Sequence, residues 1–176
     1  MICFTYIHKV LGMQNNILDP YNSKSAQNSH ARAIPKREIE LGRAPALNDI
    51  KKRLNAPETH GRKRHGSAAS NQYLKIRHGP AVVSAYMDDC QQNRGTQQVI
   101  AQMERDKAAG VFPRGSIIKS VQARIDVGNI RVANAIDGSL SKVGAVPNRT
   151  VSMQESHIGT VAINKRGNYT TSFPGR

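Results

Sequence analysis

Residues 116–127 read SIIKSVQARIDV, and their pattern indicates the class of fold. Apolar and polar residues alternate along it, with one break at Lys119, and a period of two is typical of a β-strand that buries one face. Val121 and Ile125 are four residues apart, so a helix stays possible. The next two residues, Gly128-Asn129, form a common hairpin signal. The stretch therefore predicts the first strand of an antiparallel sheet.

More strand patterns follow downstream. A second hairpin signal, Asp137-Gly138, separates two of them, and Lys165-Arg166-Gly167 reads as a hairpin loop in which glycine takes the left-handed backbone position. The predicted strands cover residues 130–136, 140–146, 150–153, 158–164 and 168–173. Four or five short strands in sequence order predict an antiparallel β-meander.

Two helices are predicted before the sheet, over residues 80–93 and 97–109. Gly95 is expected to break the chain between them, and Thr96 to cap the second helix. The two helices would cover one face of the meander. Residues 79–176 are therefore predicted to form a small α+β body.

The first part of the chain differs in composition. The whole chain carries +14, of which residues 1–78 hold +9, from 14 Lys/Arg and 5 Asp/Glu. The segment after Met13 is rich in Asn, Ser and Gln, and such segments bury too little apolar surface to offset their ordering entropy. Residues 1–78 are therefore predicted to form an extended or disordered basic arm, with one short helix at about residues 45–55.

Two runs of cations in this arm are candidate nucleic-acid contacts. The first run lies between His60 and Gly66, where glycines would let the backbone follow a phosphate surface closely. The second run falls at the end of the short helix. The alternatives are a solvated loop for the first run and a helix docked on the body for the second. The predicted contact residues are Arg62, Lys63 and Arg64, and then Lys51, Lys52 and Arg53.

Catalytic and metal-binding motifs are not found. The sequence lacks GxGxxG, GxxxxGK, HExxH and GxSxG motifs and any metal-spaced Cys/His set. We therefore predict no catalytic residue, no metal site, no cofactor and no small-molecule ligand. Cys3 and Cys90 are far apart and are predicted to be free thiols.

One segment resembles a hydrolase family. Residues 156–175, SHIGTVAINKRGNYTTSFPG, resemble the strand-turn-strand that opens the mature β-subunit of isoaspartyl-peptidase-like N-terminal-nucleophile hydrolases. The resemblance implies that chain cleavage after Gly159 would make Thr160 a terminal nucleophile with its own α-amine as base. The sequence after Thr160 runs only to Arg176, whereas that family places its substrate-binding segments there, so a β-hairpin without catalysis is the expectation.

The charge favours a polyanionic partner. We expect a non-enzymatic structural or assembly protein whose basic arm contacts nucleic acid, RNA or DNA, or neighbouring protein subunits in a virion or ribonucleoprotein particle. With neither a signal peptide nor a transmembrane segment expected, its location would be cytoplasmic or particle-associated. The alternative is a secreted bacterial effector or toxin that acts on a host protein. A third class, a DNA-binding regulator that uses the two body helices, is disfavoured because Glu104 and Asp106 would face phosphate.

Overall fold

The computed structural model describes residues 34–77, 82–136 and 148–175. Within these ranges, four short helices precede a strand, a long helix and three more strands. In chain order they are α1 (Lys36–Glu40), α2 (Leu47–Leu54), α3 (Gly61–His65), α4 (Asn71–Ile76), β1 (Val82–Ala85), α5 (Asp89–Ala108), β2 (Ser120–Ala135), β3 (Arg149–Ile163) and β4 (Tyr169–Pro174).

The four strands form one antiparallel sheet in the order β1-β2-β3-β4. The predicted α+β class with an antiparallel meander is therefore confirmed. The predicted hairpin loop joins β3 to β4: Asn164 N donates to Asn168 O at 3.0 Å, and Gly167 has a φ of +77°. The predicted strand over residues 140–146 and the Asp137-Gly138 hairpin lie outside the described residues.

The Gly128-Asn129 step is not a hairpin turn. β2 runs straight through it, and the pairing with β3 shifts register between Arg124 and Gly128. Gly128 has a φ of +79°, which a β-bulge uses as readily as a tight turn does. The strand continues because residues on both sides of the step, Val127 and Ile130, are fully buried.

The two predicted body helices are one helix, α5, and the start of the first is instead strand β1. Asp88 caps α5, since its side chain accepts from Gln91 N at 2.7 Å, as an N-cap aspartate does. Gly95 lies in the helix interior without breaking it. A Cβ at Gly95 would meet the Tyr86 ring at 3.0 Å, so the glycine allows close packing. Cys90 was predicted to be a free thiol, but it is disulfide-bonded. The prediction was wrong because it relied on the separation of the two cysteines in the sequence, which does not measure their distance in the fold.

Apolar side chains pack on both faces of the sheet. The larger cluster joins α2 and α5 to the sheet and includes Leu54, Tyr86 and Val132. The smaller cluster places α4 on the opposite face and includes Leu74 and Ala133. Val132 and Ala133 are neighbours in β2, and successive strand residues point to opposite faces. The helices before β1 are therefore integral to the fold.

This packing corrects one expectation about the first part of the chain. Residues 36–76 hold four helices instead of one short helix in an extended arm. The predicted helix at about residues 45–55 is present as α2, and its Ile50 and Leu54 are fully buried. The sheet supplies the apolar partner surface that short helices need for stability. Residues 1–33 of the predicted arm lie outside the described residues.

Candidate nucleic-acid interface

The six predicted contact residues fall into different environments, and Arg62 faces inward. Its side chain is 15% exposed, and Nη1 lies 3.6 Å from the Asp89 carboxylate. Arg62 Nε donates to Asn55 Oδ1 at 3.1 Å, Nη1 donates to Gln92 Oε1 at 3.0 Å, and Nη2 donates to Asn93 Oδ1. Burial lowers the pKa of Arg62, and the nearby Asp89 charge opposes this shift. Arg62 therefore ties α3 to α5, and its charge is compensated internally.

Arg53 is also engaged within the fold. Its Nη1 donates to Gly167 O in the β3–β4 loop at 3.0 Å, and its guanidinium carbon lies 5.6 Å from the centroid of the Tyr169 ring. This geometry is that of a cation–π contact. Burial raises the pKa of Tyr169, and the Arg53 charge opposes the shift. Arg53 therefore holds the loop against α2.

The other four predicted contact residues differ in how exposed their side chains are. Lys52, Lys63 and Arg64 are exposed, and their side chains have no hydrogen-bond or ion-pair partner in the part of the chain that the structure describes. Lys51 is half-buried and is already engaged in a contact. The structure thus leaves three of the six side chains available to a partner, and two of them lie on α3.

Sequence reasoning missed three cations at the end of α4. Lys75 is exposed on α4, and Arg77 follows that helix. Arg77 Nη1 donates to Arg64 O at 3.3 Å, and Arg149 Nη1, from the start of β3, donates to Arg77 O. Lys75 and Arg77 could have been found in the sequence, because residues 59–77 contain five Lys/Arg and no Asp or Glu. Arg149 could not, since only the fold brings it here.

We call four of these side chains the α3–α4 basic surface: Lys63, Arg64, Lys75 and Arg77. Burial lowers the pKa of Arg77, and the positive charges of Arg64 and Arg149 lower it further. His60 shows the same trend: burial lowers its pKa first, and Arg64 and Arg77 add to the effect. The positive charges of Arg64, Arg77 and Arg149 are therefore close together, so a bound anion would relieve their repulsion.

The α3–α4 segment is firmly attached to the sheet. Arg131 of β2 donates to the carbonyls of Gly66, Ala69 and Tyr86 at 2.5–3.0 Å. His65 Nδ1 lies 2.6 Å from Ser84 O in β1. Hydrogen bonds of this kind hold the basic side chains on a fixed backbone, so little ordering is needed on binding.

Thr160, the residue in the hydrolase-like segment, lies inside β3 opposite Gln122 of β2 and Phe173 of β4. Across the described ranges, no group of three or more His, Cys, Asp or Glu side chains is placed to hold a metal ion. None of the helices described there has the length and apolarity to cross a membrane.

Comparisons with known proteins return no match: no family model, no curated protein and no solved structure is significantly similar to the chain.

Proposed function

We propose that this protein is a non-enzymatic assembly protein that binds the phosphate backbone of RNA or DNA through its α3–α4 basic surface, within a virion or ribonucleoprotein particle. One observation carries the proposal. Lys63, Arg64 and Lys75 are exposed cations without carboxylate partners among the described residues, and the segment that holds them, residues 59–77, has no acidic side chain.

The proposed mechanism is charge neutralisation. Lysine and arginine side chains that contact phosphates release condensed counterions, which favours binding at low salt. Such contacts position a protein on nucleic acid without reading its sequence. The α3–α4 basic surface would therefore bind many sequences with similar affinity. Lys52, exposed at the end of α2, is a further candidate contact.

Neighbouring protein subunits are the other partner class in such a particle. An acidic subunit face would relieve the repulsion between Arg64 and Arg77, as phosphate would, because both bring negative charge to a folded basic surface. Nucleic acid is favoured because residues 59–77 contribute five cations and no acidic side chain, and nucleic acid presents a continuous line of phosphates.

The alternative function, a secreted effector that acts on a host protein, is favoured by a different observation. α2 packs into the main apolar cluster, and Arg62 is compensated inside the protein. A self-contained fold of this kind needs no particle around it. This alternative predicts a protein that purifies without nucleic acid and binds a specific protein target.

Absorbance of the purified native protein separates the two functions. The chain has five Tyr and no Trp, so its own absorbance is weak and bound nucleic acid would dominate the ultraviolet spectrum. We expect a high ratio of nucleic-acid to protein absorbance after purification at low salt, which falls after a high-salt wash. A ratio typical of pure protein at low salt, together with no binding of added RNA or DNA, would contradict the proposal.

A further inference from the structure

Most of the outer edge of β2 is covered by other parts of the protein. β1 pairs with residues Arg131–Asn134. Beyond the end of β1, two glutamine side chains of α5 form hydrogen bonds with this edge of β2. Gln91 Nε2 donates to Val127 O at 2.9 Å and to Asn129 O at 2.7 Å. Gln98 Oε1 accepts from Asp126 N at 3.0 Å, and its Nε2 approaches Asp126 O at 3.4 Å.

The glutamine side chains thus replace a neighbouring strand along residues 126–129. A primary amide has the same donor and acceptor as a peptide group, so Gln98 can bond one strand residue as a paired strand would. This cover ends at Asp126, since no described hydrogen bond from α5 continues it toward the start of β2.

No described part of the chain covers the beginning of β2 on this edge. Lys119 O accepts from Ile163 N at 2.8 Å. In an antiparallel pair the bonded residues alternate, so residues 119, 121 and 123 direct their backbone groups toward β3. By the same alternation, Ser120, Gln122 and Arg124 direct theirs outward, as Asp126 does. Within the described ranges, no strand or side chain bonds these outward groups.

The open edge is basic. Residues 107–125 contain four Lys/Arg and no Asp or Glu. Lys119 and Arg124 are exposed and have no ion-pair partner among the described residues. Ile117, just before the strand, is 76% exposed and offers an apolar contact. An occupant therefore needs an extended backbone, acidic side chains and a few apolar ones.

We propose that the open edge of β2, residues 120–124, binds an extended acidic segment of a partner protein, which adds a strand beside Gln122. Its backbone pairs with the outward groups of Ser120, Gln122 and Arg124, and the carboxylates on the exposed face of the added strand meet Arg124. Strand addition of this kind takes affinity from main-chain hydrogen bonds and specificity from side chains. A second copy of this chain is a poor occupant, because its own edge would bring the same cations together.

A synthetic peptide of about eight residues, within the usual range of strand lengths, with alternating Glu and Val tests this inference. Fluorescence anisotropy measures its binding to the full chain, with an alternating Lys and Val peptide as control. We expect the acidic peptide to bind and the basic one not to bind. Gln122→Pro removes an outward N–H without breaking a β2–β3 hydrogen bond, and should weaken binding at least tenfold. Gln122→Thr, which keeps the N–H, should bind like the wild type.

A second form of the experiment needs no protein variant. Peptides N-methylated at alternate residues cannot donate to β2, so one of the two methylation registers should abolish binding to the wild-type chain while the other preserves it. Equal binding of the methylated and unmethylated peptides would overturn strand addition, and so would full binding by a folded Gln122→Pro variant. A wild-type dimer that Gln122→Pro dissociates would show that a second copy occupies the edge, which also overturns the inference.

Discussion

Arg62 and Arg64 lie on the same short helix, yet their side chains face opposite environments. Arg62 contacts Asp89 and three side-chain amides, whereas Arg64 is exposed and without a side-chain partner among the described residues. The sequence shows only a run of cations. Which of them faces solvent depends on the position of α3 against α5, and a run of identical charges carries no signal of that position.

Replacing Arg62 should therefore destabilise the fold. Arg62→Ala leaves buried acceptors on Gln92 and Asn93 unsatisfied, and we expect a loss of about 2–4 kcal/mol in the free energy of unfolding. Lys63→Ala is the matched control, since it removes an exposed charge and should change stability by less than about 0.5 kcal/mol. Urea denaturation measures both. Equal stability of the two variants would show that the Arg62 contacts contribute little.

We expect His65 to make the fold sensitive to acid. Burial lowers its pKa to about 4, with Arg77, His60 and Arg64 acting in the same direction and the Ser84 carbonyl opposing. Because the unfolded chain binds this proton more readily, the stabilisation is complete above about pH 6.5 and is lost as pH falls toward 4. A shift from 6.5 to about 4 corresponds to about 3 kcal/mol.

Unfolding free energies at pH 7 and pH 5 should therefore differ, with the protein less stable at pH 5. His65→Gln, which removes the titrating group, should reduce this difference. An unchanged difference in the variant would assign the acid sensitivity to other groups.

Among the helices and strands, glycines explain why some predicted element boundaries were correct and others were wrong. Gly167 was predicted to take a left-handed position in a hairpin loop, and it does. Gly128 has the same backbone conformation, but inside a bulged strand. Gly95 makes room for Tyr86 within a helix. A glycine in the sequence indicates either an unusual backbone conformation or a close neighbour. Only the packing of the folded chain shows which of the two applies.

Helix α5 was difficult to delimit because its buried face is polar. Gln91, Gln92 and Thr96 are fully buried and bond backbone or side-chain groups of the sheet and of α3. Apolar periodicity, the main helix signal, is therefore weak along this helix. The strands were easier to predict, since Val121, Ala123 and Ile125 alternate clearly with exposed residues.

Gly159 gives a test of how closely α5 packs on β3. A Cβ at this position would lie 2.7 Å from Val99 Cγ2 and would also clash with the Ile125 side chain. We expect Gly159→Ala to destabilise the protein by about 1–3 kcal/mol, as overpacked cores do. Thr160→Ala, on the other face of the same strand, should cost less. Thermal unfolding of both variants provides the comparison, and a Gly159→Ala variant as stable as the wild type would show that the interface has room to adjust.

At the scale of the whole molecule, the sequence predicted the class of fold and the excess of positive charge but misplaced the boundary of the folded part. Of the four helices between Lys36 and Ile76, only α2 was predicted, and the other three were missed because each is short and buries few residues. Their stability comes from contacts with the sheet, which local composition does not reveal. As a result, the basic surface is part of a folded body, with cations from α3, α4 and the residue after α4 held in fixed positions.

The salt dependence of nucleic-acid binding tests this surface most directly. Binding of a nonspecific DNA duplex should weaken as the salt concentration rises. The triple variant Lys63→Ala, Arg64→Ala and Lys75→Ala should have a shallower slope of the logarithm of the binding constant against the logarithm of the salt concentration, by about 0.9 for each lost phosphate contact. The control variant, Arg114→Ala, Lys119→Ala and Arg124→Ala, removes the same charge from another exposed region and should keep the wild-type slope. Equal slopes for the wild type and the Lys63, Arg64 and Lys75 variant would contradict the proposed interface.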